Sequence, residues 1–228
     1  MLRLYLLDML TKNKMTLIVS LPESNIELAQ AALKGGADAL KVHANVYHKA
    51  SGKTFGNFEE QKNFYKELLK SGLPVGIVPG TDITCMTQDE VAEAEDMGFS
   101  FISMFAHHMP IYMLESKMDK MIAITEDYDI EHIKALNDIN ADIIEADVIT
   151  DEPGKRIHVS ELMKYKRIIN NVNKPVVVPT QRIIIPEEVK YMYDIGVKGI
   201  MIGVIVTGNT VDSMEKTTRA FKDAINSL

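Results

Sequence analysis

Eight short apolar runs recur along the 228-residue chain, and helix-like amphipathic stretches separate them. The runs read TLIVSL (16–21), DALKVHA (38–44), PVGIVP (74–79), SFISMFA (100–106), KMIAIT (120–125), ADIIEADV (141–148), KPVVVP (174–179) and GIMIGV (199–204). Between them lie helix-start signals. Ser24 with Glu27, Thr87 with Glu90 and Asp212 with Glu215 have capping-box spacing, Asn57 with Glu60 is a weaker version, and Pro110 and Pro186 suit first helical turns. Val211, Met214, Thr218, Phe221 and Ile225 form one apolar stripe, as do Phe64 and Leu68. The segments GGAD, SGLP, DMGFS and DIGVKG supply glycines at helix ends.

Eight strand–helix units in one chain of this length point to an α/β fold, a (β/α)8 TIM barrel forming a single domain over residues 1–228. A doubly wound open sheet is the alternative, but it favours a glycine-rich turn after the first strand, and here that turn reads LPESN. The stretch MLRLYLLDMLTKNK (1–14) carries Arg3 and Asp8 and lacks a small-residue cleavage site, so it reads as a short N-terminal leading helix. No apolar run approaches the ~20 residues of a membrane span. A net charge of −7 without a Lys/Arg cluster argues against nucleic acid, and the one cysteine, Cys85, excludes an internal disulfide framework. The expectation is a soluble, cytoplasmic protein with neither nucleic acid nor membrane as partner; a homodimer is left open.

One parity of each barrel strand must be apolar to face the helices. Leu40 and Val42 take that side, which turns Lys41 and His43 inward; Ile144 and Ala146 do so in the sixth strand, which turns Glu145 and Asp147 inward. Ser103 points inward by the same rule, and His107 continues its parity into the loop. Lys41, His43, Glu145 and Asp147 are therefore the candidate catalytic residues, at the strand ends where barrel enzymes keep their sites. The second and sixth strands lie opposite each other, so Lys41 and Glu145 can also form a purely structural ion pair. Ser20, Asp82, His107, Thr125 and Thr180, at or beyond strand ends, are candidate substrate contacts. Arg182, Gly203 and Val204 are a candidate phosphate site, because loops after strands seven and eight often build one.

No cofactor is expected. A divalent metal on His43, His107, Glu145 and Asp147 is a minority reading, since neither His-x-His nor His-Glu-x-x-His spacing occurs. The segment HKASGKTFGNFEEQ (48–61) has the length and glycines of a mobile lid. Its SGKT lacks the leading glycine of a P-loop, where Tyr47 stands.

The order of TLIVSLP, GGADALKVHANV, VGIVPGTD and IGVKGIMIG resembles the ribulose-phosphate-binding barrels, and within them is most similar to N-acetylmannosamine-6-phosphate 2-epimerases. The resemblance implies a small, phosphorylated, sugar-like ligand and an isomerase, epimerase or lyase reaction. It also implies that Lys41 stands where those enzymes place a substrate-contacting arginine, and His43 where they carry an asparagine. Their proton-transfer lysine after strand three and glutamate after strand seven are missing: the matching segments GIVPGTD and VVVPTQR present Pro79 and Pro179 or Thr180. Gln181 and Arg182 replace the glycine-containing phosphate turn. A barrel that binds a metabolite or a protein partner without turnover is the competing expectation.

Overall fold

The computed structural model describes residues 5–149 and 154–228. Residues 1–4 of the expected leading helix lie outside them. Helix α1 (Leu6–Lys12) comes first, followed by β1 (Thr16–Ser20), α2 (Ile26–Gly35), β2 (Ala39–His43) and a hairpin of β3 (Val46–His48) and β4 (Lys53–Phe55). Then come α3 (Lys62–Leu68), β5 (Val75–Val78), α4 (Gln88–Met97), β6 (Phe101–Phe105) and β7 (Asp119–Ile124). The chain continues with α5 (Ile130–Ala135), β8 (Ile143–Ala146), α6 (Val159–Ile169), β9 (Val176–Pro179), α7 (Val189–Ile195) and β10 (Gly199–Ile202). A short α8 (Val204–Thr207) and the long α9 (Val211–Asn226) end it. The connection after β6 forms only a 3-10 turn, Ile111–Glu115, with Pro110 as its N-cap.

Eight parallel strands close in the order β1-β10-β9-β8-β7-β6-β5-β2, so the expected α/β (β/α)8 TIM barrel is the fold. Leu17, Val19, Leu40, Val42, Ile102, Ile144, Ala146, Val178 and Ile200 pack outward into the core shared with the helices. Ile18, Ala39, Phe101, Met121, Ile143, Val177 and Met201 pack inward with Leu6 and Leu10 of α1, which plugs the barrel from below.

Because the strands tilt, side chains at one height step one residue forward from each strand to the next. Followed through the observed register, that step leads from Lys41 to Ser103, Glu145 and Met201 and returns to Lys41. Four side chains from alternate strands thus share one layer. The layer below is Ala39, Phe101, Ile143 and Gly199; the layer above, by the same alternation, is His43, Phe105, Asp147 and Gly203. The intervening strands contribute smaller groups, Ser20, Val78, Ala123 and Pro179, with Gly76 beneath Val78. Gly76 has no room for a side chain: a Cβ there would lie 2.1 Å from the Phe101 ring.

Several local expectations hold. Thr87 and Glu90 form a reciprocal capping box at α4, and Asn57 and Glu60 exchange 2.9 Å bonds. The expected helix-end glycines Gly36, Gly72, Gly98 and Gly196 all have positive φ. Two caps are displaced. Asn25 caps α2, accepting from the Glu27 and Leu28 amides, because the Ser24 hydroxyl is taken by Gln61. Thr210, paired with Ser213, caps α9, which puts Asp212 inside the first turn. In the apolar stripes, Val211 is exposed, and Tyr65 is buried more deeply than its neighbour Phe64. No helix among the described residues is long and apolar enough to cross a membrane.

The α1 plug is held by a buried carboxylate: Asp119, at the bottom of β7, accepts from the Leu7 amide at 2.8 Å. Burial, which outweighs the bonds from that helix end, pushes its carboxyl up to about 6. Its charge therefore opposes folding at neutral pH, and its contribution to stability falls as pH rises from the unfolded value near 3.8 through about 6. Asp119→Asn, which keeps an acceptor and removes the charge, should leave the protein at least as stable at pH 8. Asp119→Ala should cost about 1–3 kcal/mol by orphaning the Leu7 amide. Urea denaturation of the two variants checks both.

Candidate active site

Lys41 and Glu145 meet across the barrel. The lysine Nζ lies 3.3 and 3.4 Å from the two carboxylate oxygens, and Ser103 Oγ donates to Glu145 Oε2 at 2.7 Å while standing 3.5 Å from Lys41 Nζ. All three are enclosed, with residue exposures of 6% for Lys41, 4% for Glu145 and 2% for Ser103. The layer geometry makes this contact unavoidable, since β2 and β8 face each other and both side chains stand at one height. Ser103, read from sequence only as inward-facing, completes the triad.

Above it stands Asp147, whose carboxyl is pushed up to about 7, first by burial and then by the like charge of Glu145, with Lys41 and Gln181 pulling the other way. Gln181 holds this carboxylate in place. Its amide nitrogen donates to Asp147 Oδ1 and to the Ile149 carbonyl at 2.7 Å, and its oxygen accepts from the Ile149 amide at 3.1 Å. The sequence places Gln181 in the loop after strand seven and gives no sign of its contact with Asp147, although it continues the inward parity of Val177 and Pro179.

His43 is 5% exposed and has no hydrogen-bond partner at Nδ1 among the described residues. Its ring packs 4.7 Å from His48 and 4.8 Å from Phe55, both on the β3–β4 hairpin. Burial first, then the charge of Lys41, holds its imidazole well below the usual histidine value, and the same causes bring His48 down to about 4. Both rings are uncharged at neutral pH. The expected lid segment is thus partly an ordered hairpin over strand two. Asn45, in the left-handed conformation with φ 56°, turns the chain into it and ties to the Pro79 carbonyl at 3.2 Å. Lys53 and Thr54 of the SGKT run lie in β4, and Lys53 pairs with Glu23 at 3.1 Å.

The remaining candidates divide. Ser20 continues the inward parity of Ile18, and Thr125 that of Met121; the Thr125 hydroxyl lies 3.4 Å from Asp127. His107 is exposed, 3.3 Å from the Tyr128 hydroxyl, stacked on Phe105 and within the field of exposed Asp82. These form a separate aromatic sector beyond strands three to five. Thr180 accepts from the Gly203 amide at 3.0 Å, so that amide is already engaged. The Arg182 guanidinium turns to Glu161 at the start of α6, at 3.8 Å, rather than standing alone in the mouth. Val204 opens α8. The structure therefore gathers Lys41, His43, Glu145 and Asp147 and does not gather Arg182, Gly203 and Val204 into one anion cradle. Among the described residues no group of three or more His, Cys, Asp or Glu side chains is arranged to hold a metal ion. A surface cleft of about 590 Å3 lies on the outer helical layer beside Pro186, Lys190, Tyr193 and Ala224, away from this chemistry.

Removing one partner of the buried pair should be costly. Lys41→Met is expected to lose about 3–5 kcal/mol in urea denaturation, and Lys41→Met/Glu145→Leu to recover most of it. Asp147 gives a pH signature: its stabilising effect is complete below its unfolded value near 3.8 and is lost as pH rises through about 7. Asp147→Asn should flatten the stability profile across that window.

No protein-family model matches the chain, and no curated protein matches it in sequence. Solved structures do match in shape. Thiamine phosphate pyrophosphorylase from Pyrococcus furiosus is 16% identical with a TM-score of 0.68, covering 95% of this chain and 98% of its own. The tryptophan synthase A-subunit from Pyrococcus furiosus is 13% identical with a TM-score of 0.70, covering 93% and 99%. Tryptophan synthase from Mycobacterium tuberculosis is 11% identical with a TM-score of 0.75, covering 96% of each chain. At these identities the likeness establishes the barrel fold that the chain shares with them.

Proposed function

We propose that this barrel catalyses proton transfer next to a carbonyl, as an isomerase, epimerase or lyase, on a small phosphorylated, sugar-like metabolite. The observation that carries the reading is the Lys41–Ser103–Glu145 layer with Asp147 directly above it, at the C-terminal ends of the strands. In this reading Asp147, with its carboxyl near 7, takes and returns the proton. Lys41 supplies fixed positive charge toward the oxygen on which negative charge develops, Glu145 and Ser103 hold the ammonium in place, and a neutral His43 orients a hydroxyl group. The ion pair favours Lys41 as a charge rather than as a nucleophile, so borohydride should trap no adduct on it. The phosphorylated character of the ligand is supported by the sequence resemblance and by the fold shared with thiamine phosphate pyrophosphorylase.

Binding without turnover is the second reading. Pro79 and Pro179 favour it, since neither can move a proton where the resemblance would place proton-transfer groups. Incubation with keto- and aldo-sugar phosphates in D2O separates the two. Deuterium incorporated at the carbon beside the carbonyl, and lost in Asp147→Asn and Lys41→Met, is the expected result. Saturable binding with no exchange in any compound would select the non-catalytic barrel.

A further inference from the structure

Thr180, Gln181 and Arg182 leave the end of β9 in three directions. Thr180 Oγ1 accepts from the Gly203 amide at 3.0 Å, which ties the segment to the end of β10. Gln181 turns inward and bonds to Asp147 and Ile149 beyond β8. Arg182 turns the other way, toward α6, where its guanidinium lies 3.8 Å from Glu161 Oε1. Gln181 and Arg182 are adjacent, so a shift of one displaces the backbone that carries the other. The hold on Asp147 therefore depends on what Arg182 is fastened to.

That fastening is a buried ion pair. Glu161 and Arg182 are each 5% exposed, and at 3.8 Å their attraction returns little beyond the cost of leaving water. The pair is a poor source of stability, but Glu161 is a rigid post. Its Oε2 accepts from the His158 amide at 2.7 Å and its Oε1 from the Ser160 hydroxyl at 3.1 Å, at the first turn of α6. Just beyond Arg182 the two loops are stitched together. The Ile183 amide donates to the Lys155 carbonyl at 2.9 Å, and the Ile157 amide to the Ile183 carbonyl at 3.2 Å. A separate observation brings Asp147 close to the same pair. Tyr165, fully buried on α6, carries its hydroxyl within the field of Glu161, Asp147 and Arg182 together.

We propose that Glu161 and Arg182 are positioning residues for Asp147: they fix the segment after β9 so that Gln181 keeps its amide on the carboxylate. The inference rests on the reading that Asp147 moves the proton, and it assigns Arg182 a role different from a phosphate contact. Lys41 on β2, Glu145 on β8 and Tyr165 on α6 are the other groups whose charge or titration bears on this carboxyl.

The test follows the Asp147 carboxyl by 13C NMR through a pH titration of the whole protein, the signal being assigned by its loss in Asp147→Asn. Withdrawing the Gln181 donor disfavours the carboxylate, so Glu161→Gln and Arg182→Met should each raise its midpoint from about 7, by about one pH unit. Direct charge effects run differently: loss of the Glu161 charge alone would lower the midpoint, and loss of the Arg182 charge alone would raise it. A rise in both variants is therefore the mark of positioning, and Arg182→Lys should return part of the way to the wild type. If a single variant fails to fold, Arg182→Met/Glu161→Gln removes both charges, offsets their direct effects and should show the same rise. Asp119→Ala, which weakens the opposite end of the barrel, should leave the midpoint unmoved. A midpoint that falls in Glu161→Gln, stays at the wild-type value in the double variant, or moves as far in Asp119→Ala overturns the proposal. Deuterium exchange should slow roughly tenfold or more in Glu161→Gln and Arg182→Met with KM little changed, since both side chains turn away from the mouth. Exchange absent from the wild type defeats the proton-transfer reading alone, and an unmoved midpoint in a protein that exchanges defeats this one alone.

Discussion

The buried contact between Lys41 and Glu145 sets the terms for everything around it. At 3.3 Å and an effective dielectric of about 20, the attraction is roughly 5 kcal/mol, while taking the two ions out of water costs several kcal/mol each. The two terms nearly cancel, so the pair is a poor source of stability. It is nonetheless stringent, because either charge alone would be intolerable at that depth. Ser103 takes up part of the remaining hydrogen-bonding capacity of the carboxylate, and the apolar layer of Ala39, Phe101 and Ile143, sealed by Leu6 and Leu10, keeps water from reaching the pair from below.

Long charged side chains can meet in the middle of a narrow barrel only if their neighbours are small. The intervening strands supply this with Ser20, Val78, Ala123 and Pro179, and the missing side chain at Gly76 leaves the space that the Phe101 ring occupies. The barrel thus divides its work by strand. Alternate strands two, four and six carry the polar groups, and the others carry the volume that accommodates them. Asp147 follows from the same arrangement. Placed one layer above Glu145, it feels burial and like charge together, and these outweigh the opposing pull of Lys41 and the bond from Gln181.

Much of this is legible in the sequence. Period-two alternation in DALKVHA and ADIIEADV determines which way Lys41, His43, Glu145 and Asp147 point, and the eight-fold order places strands two and six opposite each other, so the pattern allows the ion pair but leaves a ligand contact for Lys41 equally open. What escaped were contacts made by long side chains between loops. Gln181 keeps the inward parity of Val177 and Pro179, but its bonds to Asp147 and Ile149 join two loops, and parity alone does not say which loops meet. The hairpin at 46–55 gave no strong turn signal, because its entry depends on Asn45 in a left-handed conformation tied to a carbonyl after another strand. Arg182 shows the opposite failure. It reads as part of a phosphate site with Gly203 and Val204, and its guanidinium is turned toward an acidic side chain on α6.

The two prolines then acquire a structural meaning. Pro79 offers its carbonyl to Asn45 and to the Met86 amide, which anchors the hairpin that covers His43. Pro179 is one of the small inward groups that leave room for Lys41 and Glu145. In this structure the ends of strands three and seven supply packing and support. Strands two and six hold all four titratable groups of the mouth's interior that the structure brings together. If proton transfer occurs in this barrel, it runs along a different diameter from the one the resemblance implies, and the groups on that diameter must be understood from their own burial and charge rather than from the positions they would occupy in a relative.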